Sequence, residues 1–117
     1  MKRYADNLRS VHLFSNLKDN DLETISRILY MNTYHRGQLI FQEGEEGNAL
    51  FIVLSGKVKI SLYDEEGREY VLDEIGKDGF FGELALIDEL PRSANVIAME
   101  TCDLLIIRRN DFMRLLM

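Results

Sequence analysis

The spacing of the glycines restricts the folds open to this sequence more than any other feature. All eight lie in the central part of the chain, at Gly37, Gly44, Gly47, Gly56, Gly67, Gly76, Gly79 and Gly82. Only brief apolar runs separate them, and such runs are typical of strands joined by tight turns rather than of helices. The pattern predicts an all-β barrel or sandwich over about residues 30–109.

The pattern within these runs predicts how individual strands are buried. Residues 49–54 are continuously apolar, which is typical of a strand covered on both faces. Residues 57–63 alternate, with Val58, Ile60 and Leu62 predicted to point inward and Lys57, Lys59 and Ser61 outward. We expect an exposed turn at residues 64–67, a returning strand at 69–75, and closing strands at 93–99 and 103–108.

Helical patterns flank this region at both ends. Residues 7–17 predict a short helix or helical turns, and residues 19–29 repeat apolar side chains at the helical period. Near the end, Asn110 is a predicted N-cap for a helix with an apolar stripe of Phe112, Leu115 and Leu116. Because the sequence stops inside this stripe, we expect the helix to continue in a longer parent protein.

Bulk composition excludes several classes of function. The 117 residues suffice for one domain, residues 1–117, and the net charge of −6 argues against direct binding of nucleic acid, which needs a basic face. A single cysteine, Cys102, excludes an internal disulfide and favours a reducing cytoplasm. We also expect neither a signal peptide nor a membrane span.

The residues from 80 to 96 combine the parts of an anion site. Gly82 permits a sharp turn or a close approach of the backbone, and the helix formers after it predict one helical turn with free amides at its start. Pro91 directs the chain so that Arg92 can pair bidentately with a phosphate. Glu83 would repel a phosphate but suits a sugar hydroxyl. The pattern therefore favours a ligand that carries one phosphate and a ribose 2′-hydroxyl.

The same stretch, Phe-Gly-Glu-Leu-Ala-Leu-Ile followed by Pro-Arg-Ser-Ala-Asn-Val, resembles the phosphate-binding cassette of cyclic-nucleotide-binding domains. The resemblance implies a mainly β fold, a β-roll (a double-stranded β-helix or jelly-roll-like barrel), flanked by short N-terminal helices at about 7–29 and the start of a C-terminal helix at 110–117. It implies that Glu83 binds the ribose and that Arg92 binds the cyclic phosphate. Further contacts are implied for Gly82, Leu84, Ala85 and Ser93.

The resemblance also implies the wider role of the chain. It predicts a cytoplasmic, non-catalytic sensor that binds cyclic AMP foremost, with cyclic GMP as the alternative and no metal. The expected parent is a bacterial transcription regulator of the catabolite activator (Crp/Fnr) type. Such a parent would be a homodimer and would contact DNA only through a further C-terminal domain, with no membrane partner.

Other interpretations stay open at this point. Glu83 and Arg92 could form a structural salt bridge, or the fold could sense another effector or act without a ligand. A β-barrel enzyme is a third alternative, but His12 and His35 have no partners at catalytic or metal-binding spacing. Cys102 is predicted to be a core or turn residue rather than a reactive thiol.

Overall fold

A computed structural model describes residues 4–83 and 91–115, and strands dominate it. The helices are α1 (Ala5–Arg9), α2 (Asp19–Ile28) and α3 (Arg109–Leu115), with a 3₁₀ turn at His12–Phe14. The strands are β1 (Tyr30–Tyr34), β2 (Leu39–Phe41), β3 (Ala49–Ser55), β4 (Val58–Tyr63), β5 (Glu69–Ile75), β6 (Phe80–Phe81), β7 (Asn95–Ala98) and β8 (Cys102–Arg108). None of the helices in these ranges is long and apolar enough to cross a membrane.

The strands form two antiparallel sheets of four strands each. One sheet has the order β1-β8-β3-β6 and the other has the order β2-β7-β4-β5. Strands distant in sequence are neighbours in both sheets, as in a roll whose chain winds between two layers. The predicted mainly β roll with short flanking helices is therefore confirmed.

Strand β3 lies between two apolar clusters, which explains its unbroken hydrophobic sequence. Leu50 and Ile52 join a cluster that contains buried residues of α1 and α2. Phe51 and Val53 point the other way, into the cluster between the two sheets. Successive side chains of a strand face opposite sides, so both faces of β3 are buried, as predicted.

The alternation predicted for β4 is wrong at one position. Ser61 was expected to point outward, but its side chain is fully buried. It pairs with Asn95 of β7 on one side and with Val71 of β5 on the other, beside a bulge in the β4–β5 pairing. On an inner strand, longer neighbouring side chains cover a small side chain, and a period-two sequence pattern does not reveal this burial.

The start of the last helix also differs from the prediction. Asn110 was expected to be the N-cap, yet α3 begins at Arg109, directly after β8. The amide of Arg109 donates to the backbone oxygen of Asn48 over 2.8 Å, so the main chain satisfies a helix-start donor that the Asn side chain was expected to serve. Phe112 packs on the cluster shared with α1 and α2. The side chain of Leu115 and all of Leu116 lie outside the described residues.

Asp64 organises the hairpin turn between β4 and β5. Its carboxylate accepts hydrogen bonds from the amides of Glu66 and Arg68 over 2.9 Å each, from Arg68 Nε over 2.8 Å and from the Tyr70 hydroxyl over 3.2 Å. These donors, the Arg68 amide first, lower the pKa of Asp64 from its ordinary value. The ionised carboxylate is thus the form that the folded hairpin stabilises.

We predict that Asp64→Asn lowers the thermal midpoint at neutral pH and that the difference from wild type disappears in acid. A depressed pKa contributes stability that is complete above the unfolded value, about 3.9, and is lost as the pH falls through the folded value. Circular dichroism melts between pH 6 and pH 2 measure this. A difference that persists unchanged at pH 2 would contradict the role assigned to the carboxylate.

Candidate functional site

Gly82 allows two distant segments to meet. It follows β6 directly and has a φ of +77°, in the left-handed region that glycine adopts without strain. A Cβ at this position would lie 2.7 Å from Arg92 Nη1 and 3.0 Å from the backbone oxygen of Ala49. The backbone here approaches Arg92 more closely than any side chain would permit.

Arg92 is one of the few charged groups inside the described part of the molecule, with only 8% of its surface exposed. Its Nη2 donates a 2.9 Å hydrogen bond to the backbone oxygen of Ala49. The guanidinium lies over the ring of Phe41 at 4.1 Å from the centroid, within the range of a cation–π contact. Phe41 in turn packs with Phe51 and Phe81, whose stacked rings lie 5.1 Å apart.

The loop before β3 holds the backbone of Arg92 in place. The Arg92 amide donates to the oxygen of Glu45 over 2.7 Å, and the Gly44 amide donates to the oxygen of Arg92 over 2.8 Å. An antiparallel bridge between Glu46 and Pro91 extends this pairing. Pro91 and Arg92 are therefore anchored on a neighbouring segment, which limits the directions that the guanidinium can take.

The charge of Arg92 has no carboxylate partner in residues 4–83 and 91–115. Burial lowers the pKa of the Arg92 guanidinium from its ordinary value, and the negative charge of nearby Glu45 acts in the opposite direction. Arginine nevertheless stays protonated in proteins, and a buried charge without a partner is costly. The site therefore favours an anion beside Arg92.

Arg92 borders a cavity of about 420 Å³, which lies within the size range of small-molecule sites. The cavity also contains four of the residues predicted for the site, which are Gly82, Glu83, Arg92 and Ser93. Its apolar wall comes from both sheets: Phe41, Ile60, Ile75, Phe80, Phe81, Pro91, Ala94 and Val96. The other two predicted site residues, Leu84 and Ala85, lie outside the described residues.

The structure does not support a salt bridge between Glu83 and Arg92. Both side chains border the cavity, yet within the described ranges no ion pair joins them. Glu83 is half-buried, whereas Arg92 is buried. The two opposite charges thus border the same cavity without pairing.

Asp73 is a residue of this cavity that the sequence analysis missed. It lies on β5 and lines the same cavity as Arg92. The available signal was its position two residues before Ile75, which predicts the same face of the strand. The sequence analysis predicted this strand without assigning its faces, and a bulge between Asp73 and Val71 interrupts the alternation that runs from the turn.

The remaining candidates from the sequence lie elsewhere. His12 and His35 are exposed and do not border the cavity. Cys102 is buried, as predicted, and burial raises the pKa of its thiol. In the part of the chain that the structure describes, no three His, Cys, Asp or Glu side chains cluster as a metal site would require.

Comparison with known proteins gives consistent results. The sequence profile described as "Cyclic nucleotide-binding domain" matches residues 31–117. The human cGMP-dependent protein kinase 2 is 40% identical over 85% of this chain, which spans 13% of that protein. The cyclic AMP receptor protein of Thermus thermophilus is 35% identical over 89% of this chain, which spans 48% of that protein.

A solved structure with the same fold contains a ligand. The regulatory domain of Toxoplasma gondii PKA, co-crystallised with cAMP, superposes with a TM-score of 0.88 at 30% identity. The match covers 97% of this chain and 44% of that one. Kinase-associated and bacterial proteins are thus similarly close relatives of this chain.

We predict that Gly82→Ala destabilises the protein more than Gly67→Ala, a matched control. Gly67 has a φ of +82° but open space where a Cβ would lie, so its replacement costs only backbone strain, about 1–2 kcal/mol. At Gly82 the displacement of Arg92 and Ala49 should add ~1–3 kcal/mol. Urea denaturation of both variants tests this, and equal losses would show that the close approach to Arg92 is unimportant.

Proposed function

This chain belongs to the cyclic nucleotide-binding domain family, whose members are regulatory rather than catalytic, and we propose that its cavity binds cyclic AMP as a regulatory signal. The observation that carries this proposal is the buried guanidinium of Arg92, which faces a ligand-sized cavity without a carboxylate partner in the described ranges. A cyclic phosphate would supply the missing anion. A PKA regulatory domain with the same fold was co-crystallised with cAMP, which supports the choice of ligand.

The cyclic phosphate would lie against Arg92. The bond from Nη2 to Ala49 and a longer bond of 3.5 Å from Nη1 to the backbone oxygen of Gly82 occupy two of the five N–H donors, and the others remain for phosphate oxygens. Ser93, which follows Arg92 along the cavity, would add a hydroxyl donor. The absence of a side chain at Gly82 would let the ligand approach the backbone. The backbone contacts expected from Leu84 and Ala85 stay predictions.

Glu83 would bind the sugar rather than the phosphate. A carboxylate accepts hydrogen bonds but repels an anion, so within this cavity it suits the ribose 2′-hydroxyl. Arg92 and Glu83 together would then recognise two groups that a cyclic nucleotide holds at a fixed separation. This pair of requirements would distinguish a cyclic ribonucleotide from a simple phosphate or a deoxy analogue.

We further propose that ligand binding controls an attached output domain through α3. This helix follows β8 without a break, and Phe112 packs on the cluster shared by α1 and α2. Ligand capture can shift this helix only by the difference in affinity between its two positions. The domain itself would have no catalytic role.

The identity of the output domain stays a prediction. The sequence favours a DNA-binding domain in a dimeric, cytoplasmic regulator of the catabolite activator type, and the Thermus receptor protein supports that choice. The human kinase is an equally close relative and supports kinase regulation instead. Because this chain spans less than half of either relative, the partners of the longer protein are proposals in both cases.

We predict that Arg92→Ala weakens cyclic AMP binding by ~2–5 kcal/mol, as expected for removal of one partner of a buried charge pair. Arg92→Lys should lose less, because it keeps the charge but not the bidentate geometry. Isothermal titration calorimetry measures both. Arg27→Ala is the control, because Arg27 is exposed on α2 and its loss changes the net charge equally.

The same titrations decide whether the ligand class is correct. Wild-type protein should bind cyclic AMP much more tightly than linear AMP, since a dianionic phosphate does not fit beside Glu83. Equal affinity for the two would instead indicate a sensor of another anion. Wild-type affinity in Arg92→Ala would remove Arg92 from the binding site.

We predict that Glu83→Ala abolishes the ability to distinguish cyclic AMP from 2′-deoxy cyclic AMP. Wild-type protein should prefer the ribose form by roughly 1.5–3 kcal/mol, the usual value for a hydrogen bond to a charged group. The variant should bind both forms equally weakly. Titration of two proteins with two ligands forms a thermodynamic cycle, and a preference that survives in the variant would assign the 2′-hydroxyl to another residue.

A further inference from the structure

Asp73 is a charged residue of the cavity to which the proposed function gives no role. Three charged side chains of the described residues border this space: Arg92, Glu83 and Asp73. The first two suffice for a phosphate and a ribose. An additional carboxylate in a nucleotide-sized cavity requires its own explanation, because it adds negative charge to a site built for an anion.

The sheet register places Asp73 in the same sheet as the strand that follows Arg92, two strands away from it. Asp73 pairs with Ile60 of β4, and Ile60 pairs with Val96 of β7. All three residues line the cavity. Adjacent strands are about 4.8 Å apart, so the backbone of Asp73 lies about 10 Å from that of Val96, at the β5 edge of this sheet.

One oxygen of the Asp73 carboxylate is hydrogen-bonded within the protein, and the other is available to a ligand. Its Oδ1 accepts a hydrogen bond from the amide of Glu74 over 2.8 Å, which restricts the rotation of the side chain. Its Oδ2 has no hydrogen-bond partner in the described part of the chain. The residue is exposed, so it lies at the rim of the cavity, where a bound base would meet solvent.

We propose that Asp73 selects the base of the nucleotide by accepting a hydrogen bond from the six-position amino group of adenine. An ionised carboxylate can only accept hydrogen bonds. Adenine presents an amino donor at the six-position, whereas guanine presents a carbonyl acceptor there. Asp73 therefore attracts adenine and repels guanine at this edge. This inference rests on the proposed function, because it assumes that a cyclic nucleotide occupies the cavity.

The apolar wall and Ser93 leave this choice to Asp73. Ile60 and Val96 contact any purine face without distinguishing its polar edges. The Ser93 hydroxyl both donates and accepts, so it tolerates either base. Asp73 is the acceptor-only group at the β5 edge of this wall, and its negative charge sets the preference.

The test compares cyclic AMP, cyclic GMP and cyclic IMP in wild-type protein and in three variants. Cyclic IMP has the six-position carbonyl of guanine but lacks the two-position amino group, so it isolates the edge assigned to Asp73. Wild-type protein should prefer cyclic AMP to both others by about three- to tenfold, the value of one hydrogen bond at a partly solvated site. Asp73→Asn should remove most of this preference, because an amide can donate or accept. Asp73→Lys should reverse it, because an ammonium donates to a carbonyl.

Glu74→Gln is the matched control. Glu74 is the next residue of β5, forms an ion pair with Lys57 at 3.8 Å and does not line the cavity. The Glu74→Gln substitution removes the same charge from the same strand but not from the cavity, so it should leave the preference for cyclic AMP unchanged.

The outcomes separate this inference from the function on which it rests. If no cyclic nucleotide binds wild-type protein, the proposed function fails, and the inference fails with it. If all three bind but Asp73→Asn keeps the wild-type ratios, only the role of Asp73 is overturned. If Asp73→Asn weakens cyclic GMP and spares cyclic AMP, the carboxylate instead accepts from the donor edge of guanine, and the proposed selectivity is wrong.

Discussion

The structure depends most on the burial of one guanidinium that forms no ion pair in the described ranges. Arg92 lies on the ring of Phe41, donates to the backbone of Ala49 and is almost inaccessible to solvent. Backbone and aromatic contacts offset part of the desolvation cost, but neither supplies a negative charge. An anionic ligand would supply that charge, so the desolvation cost of Arg92 favours a state in which an anion is bound.

The rest of the fold holds this group in place. The stacked aromatic rings of β3 and β6 support the guanidinium from the core, while the loop before β3 fixes its backbone. Gly82 completes the arrangement because a side chain there would occupy the space of Arg92. Since β3 borders the helix-facing cluster as well as the inter-sheet cluster, a single strand connects the surroundings of Arg92 to the helices. This continuity gives the proposed regulation a physical route.

Much of the fold followed from local pattern. The strand over residues 49–54 was predictable because a short apolar run between glycines is typical of a strand covered on both faces, and the returning strand β5 has the bounds expected from its turn. The errors occurred at positions whose burial or capping depends on neighbouring segments of the fold. Ser61 is buried by the strands on either side of it. Asn110 is not the N-cap, because α3 begins at Arg109, whose amide donates to the backbone oxygen of Asn48. Among the site residues, Asp73 escaped prediction because the strand was predicted without its faces, and a bulge beside Asp73 interrupts the alternation from the turn.

The sequence by itself determined the β-rich class and the identity of the residues that suit a phosphate and a sugar, because glycine spacing, apolar period and side-chain chemistry are local properties. Only the tertiary structure decided that Glu83 and Arg92 border a common cavity without pairing, and that Asp73 of β5 borders it too. The physical reason is that cavity, burial and missing counter-charge depend on the packing of two sheets. Residues far apart in sequence, such as Ala49 and Arg92, become neighbours only when those sheets close on each other.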